Sequence, residues 1–226
     1  MVVRLLSLDG GITVSTSSGT AGLAAIDPYY NDTPSGAFIL VAASFCALII
    51  SIPGLAWHLK NRNLPASSMI GWIVLLNLMN IVNALIWPND HIDRWWDGQI
   101  FCDIQIKLEI ASTVGLVGSL ACIMRFLSRA FDTANIRLVP SKGQRIRQLV
   151  LNIVLCVGFP LLIALLHFVL QPLRYYIFGI VGCKPGYSSS WYTLLLGQVW
   201  PPVLCIVNAY YAIILTMRVY RYSKDF

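Results

Sequence analysis

Five long apolar stretches, at about 36–57, 69–87, 100–127, 149–170 and 191–217, leave this chain few ways to fold. A bilayer core of roughly 30 Å is crossed by about 20 apolar residues in a helix, and every stretch is close to or above that length. The expected fold is an all-α polytopic membrane bundle with five transmembrane helices. Charged residues make up only 12% of the chain, against about 25% in a soluble domain. A net charge of +6 is compatible with nucleic-acid binding, but the basic residues gather in particular loops, as membrane topology requires. No nucleic-acid partner is expected. Residues 1–35 are rich in Gly, Ser and Thr and contain no apolar signal-peptide core. They are read as a flexible extracellular tail, with the membrane domain over 36–226.

Charge sets the expected orientation. His58, Lys60 and Arg62 follow the first stretch. Arg125, Arg129, Arg137, Lys142, Arg145 and Arg147 surround the loop after the third, and Arg218, Arg221 and Lys224 follow the fifth. The opposite side carries Asp90, Asp93 and Asp97 with Arg94, then Arg174 and Lys184. Lys and Arg concentrate on the cytoplasmic side of short loops, so the N-terminus is expected outside and the C-terminus inside. Asn31 opens a glycosylation sequon on the expected outer side. The basic face alone also fits contact with anionic membrane lipids, at about 1 kcal/mol per residue near a charged surface.

Cys46, Cys122, Cys156 and Cys205 fall within apolar stretches and read as small core residues. Cys102 and Cys183 both lie at the outer boundary, facing a compartment where disulfides persist. They are expected either to form a bridge or to remain as two free thiols. No cysteine–histidine spacing suits zinc, and no nucleophile elbow, phosphate loop or paired-carboxylate motif is present. No catalytic residue, metal or cofactor is expected, and the chain is not read as an enzyme.

Polar groups inside a membrane need a partner or a task. Asn77, Asn80 and Asn83 recur every three residues and share a helix face. They serve either interhelical hydrogen bonding or the wall of a ligand cavity. Asp103 and Lys107, four apart, suit a local ion pair with Lys107 reaching outward. Glu109 lies deeper on a different face: a buried acid is neutral, pairs with another helix, or binds a ligand. Ala111, Gly115 and Ser119 recur every four residues and allow a second helix to approach closely. Pro53, Pro160, Pro201 and Pro202 interrupt three stretches. Aromatic residues crowd the outer boundary, including Trp87 and the adjacent Trp95 and Trp96.

Several segments together resemble a known family. Leu85-Ile86-Trp87-Pro88-Asn89-Asp90 is followed by Trp96-Asp97-Gly98 and Phe101-Cys102-Asp103-Ile104. Lys107-Leu108, Ile123-Met124-Arg125, Gln171, Arg174-Tyr175, Gly182-Cys183 and Trp200-Pro201 come next. From about Gly36 to its end the chain resembles the fungal mating-pheromone receptors of the lipopeptide, a-factor type, which are class D G-protein-coupled receptors. The resemblance implies a seven-helix plasma-membrane receptor that binds a lipidated peptide pheromone on the outer side and signals to a heterotrimeric G protein. It implies Trp87, Trp95, Trp96, Asp103, Lys107 and Glu109 as ligand contacts, and Arg125, Arg129, Arg145 and Arg147 as the face toward the G protein. The family has seven spans where this chain carries five, so the chain is expected to be truncated or partial. A non-signalling form that pairs with a full-length receptor is the alternative, ahead of a small transporter or channel.

Overall fold

A computed structural model describes residues 2–6, 12–16, 35–88, 96–131, 141–170, 175–187 and 191–225. Helices α1 (Ser35–Lys60), α2 (Leu64–Ile86) and α3 (Gln99–Ala130) are each continuous. The fourth span is α4 (Lys142–Ile153), a π turn (Val154–Gly158) and α5 (Phe159–Leu170). The fifth is the short α6 (Trp191–Thr193), a second π turn (Leu194–Gln198) and α7 (Trp200–Asp225). All five are long and apolar enough to cross a membrane, as their sequence requires. Helix ends run past the apolar stretches because capping, not hydropathy, terminates a helix. At the start of α4, Ser141 Oγ accepts from Gln144 N at 3.3 Å, and Gln144 Oε1 accepts from Ser141 N at 3.2 Å. This reciprocal pair satisfies two of the donors a helix start leaves unpaired. It begins the helix well before the membrane stretch.

Helix α3 is the centre of the bundle. Half of its apolar stretch is buried within the protein, against 6% in the fifth span. Its small residues explain this position. A Cβ on Gly115 would stand 2.3 Å from the Trp72 indole of α2, and one on Gly118 would stand 2.5 Å from the Leu155 carbonyl oxygen of the fourth span. Two neighbours therefore pack against α3 at backbone distance, α2 at Gly115 of the small-residue stripe and the fourth span at Gly118, which lies outside that stripe. Ser119 Oγ adds a hydrogen bond to Ser68 Oγ at 3.3 Å. Asn208 Nδ2 of α7 donates to the Val117 carbonyl at 3.1 Å, and Arg218 of α7 donates to the Ser128 carbonyl.

Proline and the π turns act together. Pro160 has no N–H for the carbonyl four residues earlier, that of Cys156. In lipid such a carbonyl needs another donor. Trp72 Nε1 supplies one at 3.0 Å and Ser68 Oγ another at 3.1 Å, both from α2. Pro201 and Pro202 likewise fall in the first turn of α7, just beyond the second π turn.

A small sheet completes the fold and was not foreseen from the sequence. Its strands are β1 (Val2–Leu6), β2 (Ile12–Thr16), β3 (Tyr175–Phe178) and β4 (Gly182–Lys184), in the order β2-β1-β3-β4. All neighbours are antiparallel, with Val3 opposite Phe178 and Ile177 opposite Cys183. β1 and β2 lie within the segment 1–35 read as a tail. They join it by backbone pairing to the hairpin between the fourth and fifth spans.

Substitution of Gly115 by Val should destabilise the bundle by at least about 2 kcal/mol through overpacking against Trp72. Combined with Trp72→Leu, the loss in thermal stability in detergent should be smaller than the sum of the two single losses. Additive losses would show that the two side chains do not meet.

Candidate functional site at the disulfide end of the bundle

The β3–β4 hairpin is fastened to α3 twice. Cys102, in the first turn of α3, is joined to Cys183 of β4 by a disulfide with Cα atoms 5.4 Å apart. Lys184, the next residue, pairs with the Glu109 carboxylate about two turns further along α3. Glu109 was the charge left without an assigned partner in the sequence. Its cation comes from 75 residues away, too far for any local pattern to reveal. The pair is only partly shielded, at 34% side-chain exposure for Lys184 and 24% for Glu109.

Geometry at the hairpin tip holds it against α2. Gly182 has φ +79°, and a Cβ there would stand 2.3 Å from Asn83 Cγ. Only glycine satisfies both the left-handed backbone and that approach. Asn83 Nδ2 then donates to the Val181 carbonyl at 2.9 Å. Ile180 is also left-handed, at φ 66°, a conformation that costs about 1–2 kcal/mol for a residue with a Cβ. Its N–H bonds the Trp87 carbonyl at 2.8 Å. The asparagine stripe therefore has divided tasks: Asn83 fixes the hairpin, whereas Asn77 donates to Ile73 of its own helix at 2.9 Å.

Trp87, Trp96, Asp103 and Lys107 lie toward the same end, between the end of α2 and the first turns of α3. Trp87, expected at a ligand surface, is instead fully buried. Its Nε1 donates to the Trp96 carbonyl at 3.3 Å, and its ring lies 6.1 Å from that of Phe101. It supports the site from below, because the hairpin covers it. Trp96 is 56% exposed and packs 6.2 Å from Phe101. Trp95 and Asn31 lie outside the described residues. Asp103 is within electrostatic reach of Lys107, which the sequence expected. Lys107, however, also turns to the fourth span: its Nζ lies 2.8 Å from His167 Nδ1 and 5.6 Å from the Phe168 ring centroid. With a protonated lysine, the imidazole accepts at Nδ1 and carries its proton on Nε2.

Tyr187 meets this group from the segment after β4, edge-on to His167 with ring centroids 5.3 Å apart. Burial, and secondly the Glu109 carboxylate, push its phenol above the ordinary value, so it stays a protonated donor through the neutral range. Glu109, Tyr187, Gln198 and Pro201 line a cavity of about 180 Å³ between α3 and the fifth span. Lys184, His167 and Tyr187 were missed as site residues. Lys184 alone left a signal, as a cation next to one of the two boundary cysteines.

The four arginines are elsewhere. Arg125 is 16 residues beyond Glu109, about 24 Å along the helix. With Arg129 it lines a cleft at the opposite end of the bundle. Arg145 and Arg147 are exposed on the first turns of α4 and do not line that cleft. Among the described residues no cluster of His, Cys, Asp and Glu suits a metal ion.

Residues 39–226 match the protein-family model described as Pheromone A receptor. The chain belongs to the pheromone A receptor family. It is a multi-pass membrane protein of a receptor family, not an enzyme. It is 30% identical over 186 residues to the pheromone a factor receptor of Saccharomyces cerevisiae, covering 82% of this chain and 39% of that protein. It is 27% identical over 202 residues to the pheromone B alpha 3 receptor of Schizophyllum commune, covering 89% and 30%. With the pheromone M-factor receptor of Schizosaccharomyces pombe it shares 28% identity over 193 residues, covering 85% and 51%. The chain thus spans about half or less of the length of these relatives.

Two outcomes follow for the hairpin. Replacing Cys102 and Cys183 by Ser should lower unfolding stability by about 2–5 kcal/mol, read from thermal denaturation in detergent. In a double-mutant cycle, Glu109→Gln and Lys184→Met should couple by roughly 1–2 kcal/mol. A coupling near zero would mean that the pair adds nothing to the disulfide.

Proposed function

We propose that this chain is the pheromone-sensing part of a plasma-membrane G-protein-coupled receptor for a lipidated mating peptide. The disulfide end faces outward and receives the peptide. The basic end faces the cytoplasm and meets a heterotrimeric G protein through the exposed Arg145 and Arg147. The excess of Lys and Arg at that end supports this orientation, and the Asn31 sequon suits an outer N-terminus. The observation that carries the reading is the set of charges on α3, Asp103 and Lys107 beside His167 and Glu109 against Lys184 of a doubly fastened hairpin, in a family whose relatives are named for pheromones. These charges supply polar contacts for a peptide backbone and its terminus. Trp96, with Trp95 beside it in sequence, supplies apolar surface for the peptide or its lipid. Signalling would follow if the peptide binds one arrangement of the spans more tightly than another.

The test is expression of the full-length gene product in a fungal cell that lacks its own pheromone receptor. A response to lipidated pheromone from a compatible mating type is expected. Lys107→Met should raise the concentration for half-maximal response about tenfold, a loss of one charged contact, while surface display stays unchanged. Silence toward every lipidated pheromone, with normal display, would overturn the proposal.

A further inference from the structure

The cleft at the end of the bundle away from the disulfide has two kinds of wall. It lies between the α1–α2 turn, the last turns of α3 and the second half of α4, and encloses about 500 Å³. That is within the roughly 300–1,000 Å³ of small-ligand sites. His58, Arg62, Arg125 and Arg129 line it, and among the described residues that line it none is acidic. His58 Nδ1 is sealed from solvent and has no hydrogen-bond partner among the described residues. The second wall is apolar and open: Phe126 is 70% exposed and Leu149 52% exposed. Both belong to helices long and apolar enough to cross a membrane, where an exposed apolar face suits lipid tails.

A site with cations at the span ends and open apolar surface beside them matches one ligand shape, an anionic head on a hydrocarbon stem. A free phosphate would use the arginines but leave Phe126 and Leu149 without a role. Basic pockets between membrane helices at this depth hold phospholipid headgroups. From Arg129 back to Cys122 the cleft runs about 10 Å along α3, comparable to the headgroup and upper-chain zone.

We propose that this cleft binds one anionic glycerophospholipid. Arg62, Arg125 and Arg129 hold its phosphate, and its acyl chains lie along Phe126 and Leu149. The lipid would brace the α1–α2 turn against α3 and α4, and it leaves the exposed Arg145 and Arg147 to meet a protein partner. The inference stands apart from pheromone recognition, since none of the residues near Glu109 takes part.

Native mass spectrometry of the purified chain, exchanged into phosphatidylcholine with or without phosphatidylinositol, tests it. One phosphatidylinositol should be retained in preference to phosphatidylcholine. Arg62→Gln with Arg125→Gln should weaken retention on the order of twentyfold, from about fivefold per charge. Lys142→Gln with Arg145→Gln, at the exposed start of α4, should leave it unchanged. Equal weakening by both pairs would mean diffuse surface attraction and would overturn the site. Displacement of the lipid by inorganic phosphate at matched concentration would assign a free-anion site instead and also overturn it. So would a peptide from a G-protein α subunit whose binding, but not lipid retention, is lost in the Arg62/Arg125 variant. A photoactivatable phosphatidylinositol on the unmutated chain gives a second measurement, independent of how the variants fold. Crosslinks within 122–129 and 148–152 support the site, and crosslinks confined to other segments overturn it.

Discussion

The close approach of α2 and the fourth span to one face of α3 is the contact on which the bundle depends. Lipid gives apolar side chains no reason to leave it, so membrane helices associate through packing and polar bonds at short range. Gly115 and Gly118 provide that range. The gap at Gly115 admits the Trp72 indole, and Trp72 Nε1 in turn answers the Cys156 carbonyl that Pro160 leaves without a donor. A glycine on α3, a tryptophan on α2 and a proline in the fourth span thus form one linked arrangement. Filling the gap at Gly115 would displace the donor that makes the π turn tolerable in lipid.

The disulfide end rests on that platform. β4 reaches α3 through Cys183 and Lys184, one covalent bond and one ion pair from adjacent residues. The turn before β4 reaches α2 through Gly182 against Asn83, and Ile180 reaches the chain just after α2 through the Trp87 carbonyl. Backbone strain at Ile180 is held in place by these neighbours. Lys107 and Glu109, two residues apart, face different partners: one turns to His167 of the fourth span, the other to the hairpin. Neighbouring charges of α3 are thereby divided between the fourth span and the hairpin.

Much of this was legible in the sequence, and the gaps have physical causes. The five spans could be read because hydrocarbon thickness imposes a length on each helix. Cys102 and Cys183 stood out because both fall at the same boundary. Glu109 was recognised as anomalous, but its partner was hidden, because an ion pair across 75 residues leaves no periodicity. Trp87 looked like boundary surface because tryptophan favours interfaces; the hairpin covers it, and a covering loop is invisible in hydropathy. The strands were missed because their pairing is with a distant segment and their residues have no long alternating run. The arginines near the basic end were read as one face, whereas the fold divides them between a cleft lined by Arg125 and Arg129 and an exposed helix start.

By itself, then, the sequence determined that the chain crosses a membrane five times, where each crossing lies and which loops are basic. It also held enough of a family pattern to be recognised. Those properties follow from local composition against a fixed bilayer thickness. Only the tertiary structure decided that α3 is the centre, that Lys184 answers Glu109, that Trp72 and Ser68 answer Cys156, and that four basic side chains share a cleft with Phe126 and Leu149. Each of these joins residues from different helices, and lipid, which favours every apolar face equally, gives no one-dimensional clue to which faces meet.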